Sequence, residues 1–221
     1  MEMRRRSIAS WLVGLCALFA LGVAQAQTVL YTTLPAAPNG GACFGAGNLA
    51  VVEMSTPAGA AYQINDATVR MHHAADAAAS FTVGVYTDNA GVPGTLVGTL
   101  GTAAGHGLGT MDPYTLTPAA PIALAASTNY WVVASSSSAN GCAFGWTGPG
   151  SAPSGVFTYV TERQYFGGTW NNRAGAHQAL ELRGAPVAPP AGIAPVPTTS
   201  QWVLGLMASL MLFAAVRRLR R

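Results

Sequence analysis

Two cysteines, Cys43 and Cys142, sit in matching surroundings, Asn39-Gly40-Gly41-Ala42-Cys43-Phe44-Gly45 and Asn140-Gly141-Cys142-Ala143-Phe144-Gly145. In an exported chain such a pair reads as a disulfide, with two separate free thiols as the alternative. No CxxC spacing supports a metal site. His72 and His73 are adjacent, so on a strand they point to opposite faces and cannot share one metal. Continuing the inward set Ala67, Val69, Met71 sends His73 to the core and His72 to solvent. His106 and His177 lie in Gly/Ala-rich loops with no nearby acid in sequence. Asp88-Asn89-Ala90-Gly91 has the look of a calcium loop, but it offers one carboxylate and no closing Glu, so it reads as a turn.

Aromatic and amide groups cluster in Tyr165-Phe166-Gly167-Gly168-Thr169-Trp170-Asn171-Asn172-Arg173. Exposed rings beside amide and guanidinium donors suit stacking on a sugar. The candidate sugar-binding set is therefore Trp146, Tyr165, Trp170, Asn171, Asn172 and Arg173. The competing reading is that these large rings are core or rim packing. No catalytic residues are expected, and no cofactor or metal. A G-x-S-x-G elbow is missing from the sequence, and the run Ser135 to Ser138 reads as a hairpin or loop. Scattered acids such as Asp76, Asp112 and Glu162 leave a polysaccharide hydrolase or lyase as the alternative, which would need two carboxylates about 5–10 Å apart in one cleft.

These groups must be positioned by strands. From Thr28 to Arg183 no stretch has convincing 3.6-residue periodicity, whereas short runs rich in Val, Thr, Tyr and Phe recur between Gly, Pro, Asn and Asp. Strands are expected over 28–34, 49–54, 67–73, 81–87, 95–100, 114–118, 129–135, 142–147, 155–161 and 178–183. Phe81, Val83 and Val85 should share one face. Leu180 and Leu182 should point inward, with Glu181 and Arg183 outward. The pattern predicts an all-β, two-sheet sandwich over 27–184, large enough for one core.

Composition narrows the partners. The chain of 221 residues is 50% hydrophobic and 9% charged, against about 25% charged for an ordinary soluble domain. Gly (26) and Pro (14) are too frequent for a helical bundle. All basic residues are Arg, and most lie at the two ends. Between residues 27 and 197 only Arg70, Arg163, Arg173 and Arg183 remain, facing Glu53, Asp66, Asp76, Asp88, Asp112, Glu162 and Glu181. A phosphate-binding surface needs clustered cations, so nucleic acid is not an expected partner.

The ends read as addresses. Arg4, Arg5 and Arg6 precede an uncharged apolar run from Trp11 to Val23, and Ala24-Gln25-Ala26 follows. Basic head, short apolar stretch and a small-x-small site describe a secretory signal peptide over 1–26, cut after Ala26 by signal peptidase once the export machinery has engaged it. Its apolar helix would reach only about 20 Å, short of the roughly 30 Å hydrocarbon core. Residues 185–195 form a Pro/Ala-rich linker. Residues 202–216 are uncharged and mostly apolar, and Arg217, Arg218, Arg220 and Arg221 follow. That segment is expected to be a transmembrane helix with its arginines in the cytoplasm and the body outside, in the periplasm of the precursor.

The segment Val196-Pro197-Thr198-Thr199-Ser200-Gln201-Trp202, with the apolar run and Arg cluster behind it, resembles the IPTL-CTERM sorting signal of Gram-negative bacteria, over residues 196–221. Pro197, Thr198, Ser200 and Trp202 match the pattern. Val196 stands where the family has Ile, Thr199 where it has Leu, and Val203 where Gly often follows. The resemblance implies recognition by an exosortase, a membrane-embedded, Cys-dependent transpeptidase-like enzyme that would cut near the motif. In the body, Phe81-Thr82-Val83-Gly84-Val85-Tyr86-Thr87-Asp88, Gly91-Val92-Pro93-Gly94 and Asn129-Tyr130-Trp131-Val132-Val133 resemble the choice-of-anchor R family of bacterial extracellular β-sandwiches. That resemblance implies a jelly-roll-like surface domain. The expectation is a non-enzymatic cell-surface or secreted protein with a structural, adhesive or carbohydrate-binding role and a glycan or matrix ligand.

Overall fold

The period-two patterns of the sequence fold into strands whose apolar sides face one another. The computed structural model describes residues 27–34, 41–148, 152–173 and 177–187. In chain order the strands are β1 (Thr28–Thr32), β2 (Gly41–Phe44), β3 (Leu49–Ser55), β4 (Tyr62–His73), β5 (Ser80–Asp88), β6 (Pro93–Ala104) and β7 (Met111–Leu116). There follow β8 (Ile122–Leu124), β9 (Asn129–Ser136), β10 (Phe144–Thr147), β11 (Thr158–Phe166), β12 (Thr169–Asn172) and β13 (Leu180–Pro186). No helix occurs among the described residues. The expected signal helix within 1–26, the sorting motif and the expected transmembrane helix 202–216 lie outside them.

One sheet runs β1-β13-β4-β10-β2, with β7 and β8 also paired to β4; the other runs β12-β11-β3-β9-β5-β6. Neighbours are antiparallel throughout. The sheets share one apolar core. Leu30, Ile64, Val69, Met71, Leu180 and Leu182 enter it from the first sheet, and Val52, Met54, Phe81, Val83, Val85 and Val132 from the second. Phe81, Val83 and Val85 are fully buried, as their alternation requires, and so are Leu180 and Leu182. In β4 the period slips by one residue between Ile64 and Ala67. Asn65 has no partner in the β13 register there, and this bulge keeps both halves of the strand apolar side inward.

The glycines of β6 let the sandwich close on one side. A Cβ at Gly98 would come within 2.9 Å of Ile122 on β8, and one at Gly101 within 3.1 Å of Leu116 on β7. Side chains from the first sheet therefore reach over the backbone of the second. Elsewhere the core is aromatic: Phe44 stacks on Phe144 at 5.7 Å, and Phe81 meets the same ring edge-on at 5.2 Å. His73, 1% exposed, stacks on Phe144 at 4.7 Å, so it is a core residue, while His72 stays half-buried on the opposite face. Cys43 and Cys142 form a disulfide with a Cα–Cα distance of 4.8 Å and 99 residues of separation. It ties β2 to the run-in of β10, its neighbour in the sheet.

Three strands, β2, β8 and β12, were not expected from the sequence. β13 also continues through Ala185 and Pro186, pairing with Gln63 and Tyr62, into residues that read as linker. Ala185 is buried, which explains why the ladder continues.

Candidate functional site

The outer face of the six-stranded sheet is not a plain solvated surface. Between the inward residues of β3 and β9, Val51, Trp131 and Val133 are also apolar, and Glu53 is the charged exception. Val51, Trp131 and Val133 form a second buried cluster, with Leu49, Tyr86 and Trp170 packed against it. Trp131 is fully buried although it points away from the main core. Its Nε1–H donates to Asp88 Oδ1 at 2.8 Å, and the same oxygen accepts the Gly91 N–H at 3.0 Å. Arg163 Nη1 donates to the Gly91 carbonyl at 2.5 Å. Asp88-Asn89-Ala90-Gly91 is thus a turn, and its carboxylate and carbonyl latch it to side chains of β9 and β11. Glu53 lies in the same neighbourhood and accepts from Asn129 Nδ2 at 2.9 Å. Burial pushes its carboxyl above the usual range, against the pull of that hydrogen bond; Asp88 adds to the rise and Arg163 opposes it.

At the edge of this face Tyr165 and Trp170 stand directly opposite each other across β11 and β12. Their rings are 5.1 Å apart and tilted by 53°. Gly167 and Gly168, both at positive φ, make the tight turn between the two strands, and this turn puts Trp170 beside Tyr165. Asn172 is two residues further on and exposed on the same side.

The rest of the sequence-derived sugar set is elsewhere. Asn171 and Arg173 alternate to the other side of β12. Arg173 turns inward and donates from Nη1 to Gln164 Oε1 at 3.0 Å. Trp146, expected to stack on a sugar, is instead fully buried in the first sheet, and its Nε1–H donates to the Ala179 carbonyl at 3.0 Å. It cannot stack on a ligand and does not belong with Tyr165 and Trp170. Sequence reasoning missed Trp131, Tyr86, Leu49 and Arg163. The apolar residues of β3 and β9 at outward positions were the available signal.

The inner side of β11 carries polar groups into the sandwich. Glu162 lies opposite Val52, a core residue, and is 0% exposed. Its Oε1 accepts the Gln178 N–H at 2.7 Å, and its main-chain carbonyl accepts the Arg173 N–H at 2.9 Å. His177 Nδ1 is 3.9 Å from Oε1, and the His177 ring meets Tyr159 edge-on at 5.1 Å. Glu162 Oε2, the Tyr31 hydroxyl, His177 Nδ1 and both amide atoms of Gln178 are buried with no hydrogen-bond partner among the described residues. Burial pushes the Glu162 carboxyl up to about 7, against the opposing pull of the Gln178 and His177 amides and the Arg173 charge. Burial likewise raises the Tyr31 and Tyr159 hydroxyls, and the Glu162 charge adds to both shifts.

The other acids are engaged separately. Asp76 accepts from Ser138 Oγ at 2.7 Å and from the Ala78 N–H at 3.1 Å, which hold its carboxyl below the usual range. Asp112 meets His106 Nδ1 at 3.3 Å, and the His106 ring stacks on Tyr114 at 4.5 Å. The structure therefore supplies an acid to both His106 and His177, which the sequence had left without one. His73 Nε2 lies 2.5 Å from the Asp76 carbonyl, a main-chain contact. Among the described residues no group of three or more His, Cys, Asp or Glu side chains could hold a metal ion. No family model matches the chain, and neither does any curated protein.

Proposed function

We propose that the chain is an exported cell-envelope protein whose jelly-roll-like sandwich is a non-catalytic module, displayed or secreted after processing at both ends, and that it binds carbohydrate. The observation that carries the exported location is the Cys43–Cys142 disulfide inside the sheet framework, a bond that persists in oxidising compartments. The sequence patterns at residues 1–26 and 196–221 supply the matching addresses: a signal peptidase site after Ala26, a membrane-anchored periplasmic precursor, and an exosortase-type sorting step. Binding is assigned to the edge of the six-stranded sheet. There the half-buried Tyr165 and Trp170 offer ring faces beside the exposed Asn172 amide, the apolar-plus-polar pattern a sugar requires.

A glycan array probed with residues 27–187 tests the binding. The expected result is a discrete set of retained glycans, with affinity reduced at least about ten-fold by Tyr165→Ala, on the scale of one ring contact. Trp170 also supports the Trp131 cluster, so Tyr165 is the cleaner probe. An array without signal above background contradicts the binding role.

The hydrolase or lyase reading draws support from one observation, the raised carboxyl of Glu162, a property of general acids. Against it, Glu162 is fully enclosed, and Asp76 and Asp112 are each held by other groups. Release of reducing ends from envelope polysaccharide by the wild type, lost in Glu162→Gln, would favour it over the binding module.

A further inference from the structure

We propose that Glu162 is a proton-operated tie between the two sheets: uncharged, it fastens the residues entering β13 against β11, and on losing its proton it lets them go. His177, Gln178 and Ala179 lead into β13 of the first sheet, whereas Glu162 belongs to β11 of the second. The Gln178 N–H to Glu162 Oε1 bond is thus a link between sheets. The residues it holds are themselves structural anchors. The Gln178 carbonyl accepts from Thr33 Oγ1 at 2.7 Å, and the Ala179 carbonyl accepts from Trp146 Nε1 and from the Arg70 N–H.

Three observations make this tie sensitive to a proton. Glu162 is fully enclosed, with Oε2 unpartnered among the described residues, so an ionised carboxylate would lie in the interior supported chiefly by the Gln178 and His177 main-chain amides. The charged and titratable groups facing it are Tyr31 from β1, Tyr159 from β11, and Arg173 and His177 from the segment between β12 and β13. The two tyrosines carry no positive charge, and the Arg173 guanidinium, which favours the ionised form, is the weakest of the opposing pulls and points a donor at Gln164. His177 Nδ1, at 3.9 Å, makes no hydrogen bond to the carboxylate. Finally, His177 holds φ at 38°, a left-handed conformation that a non-glycine residue keeps only under constraint from its surroundings. Ionisation strengthens the Gln178 hydrogen bond itself, but the larger effect is the lost hydration of an enclosed charge, which opening restores; release of residues 177–179 also relaxes His177. The balance falls near neutral pH, where the Glu162 carboxyl titrates at about 7.

Amide hydrogen exchange, corrected for its intrinsic pH dependence, reads the tie at the Gln178 N–H. Between about pH 5.5 and about pH 8.5 its protection should fall at least about ten-fold, and at the upper pH Gln178 should exchange well ahead of Val132 in the central strand β9, whose protection follows the global stability. Glu162→Gln keeps an acceptor for Gln178 and cannot ionise, so its protection should be flat across the same range. His177→Asn, which tolerates the left-handed backbone, should retain the fall. Unchanged Gln178 protection in the wild type overturns the proposal. So does an equal fall in Glu162→Gln, or a fall abolished by His177→Asn alone.

Discussion

Glu162 and the two enclosed tryptophans show how much a single side chain can demand of its surroundings. Trp131 and Trp146 are buried on different sheets, and each finds a partner for its indole N–H, Asp88 in one case and the Ala179 carbonyl in the other. Glu162 is less well supplied, with one oxygen unpartnered. Its folded carboxyl titrates at about 7 against 4.5 ordinarily. The folded state therefore holds this proton more tightly than the unfolded state. The resulting stability is complete below about pH 4.5 and is lost as pH rises through about 7. At about 1.4 kcal/mol per pH unit, the gap is worth about 3 kcal/mol. Urea denaturation across this range should show that decline in the wild type, and Glu162→Gln should remove most of it. The chemistry of Glu162 was not legible in the sequence, because its enclosure depends on Tyr31, Val52 and Gln178, all distant along the chain. The positions of His73, Phe81, Val83 and Val85 were legible, since alternation within one strand fixes them.

The hairpins carry the next level of information. Asn89 and Val92 exchange both backbone hydrogen bonds, at 2.8 and 3.3 Å, around Ala90 and Gly91, whose φ values are 53° and 84°. This is the two-residue turn whose central positions both need positive φ, and Ala90 pays for it with strain. Ala90→Asn should stabilise the fold by about 0.5–1 kcal/mol, read as a higher denaturation midpoint at unchanged slope. A lower midpoint would mean that the side chain collides with the latched face. Ten strands were legible from runs of β-branched and aromatic residues. β2, β8 and β12 were not, because strands of three or four residues carry too little pattern and exist through their partners. For β12 the Gly167-Gly168 pair between two aromatic runs was a usable hairpin signal. Strand β6 is uncharged and lies at a sheet edge, yet its register against β5 shifts three times and it begins with Pro93. Bulges and proline blunt such an edge against pairing with another chain.

At the scale of the molecule, the disulfide and the two terminal signals expected from the sequence belong to one proposed account of where the protein works. The 99-residue separation of the cysteines restricts the unfolded chain strongly, by about 4–5 kcal/mol as an upper bound. Replacing both by Ser should cost about 2–5 kcal/mol in denaturant titrations, and the wild type under reducing conditions should match the double variant. Two sheets around one core were foreseeable from composition and strand spacing. The second apolar cluster, on the outer face, was not, because it needs the Asp88–Gly91 turn to fold back over Trp131. The most direct test of the proposed export and processing is intact-mass spectrometry of the product recovered from a Gram-negative host that carries an exosortase. The account predicts a species that begins at Gln27, lacks the hydrophobic segment 203–216, and is lighter by two hydrogens for the closed disulfide. A product of the full mass from Met1 to Arg221, with both thiols free and in the cytosol, would contradict it.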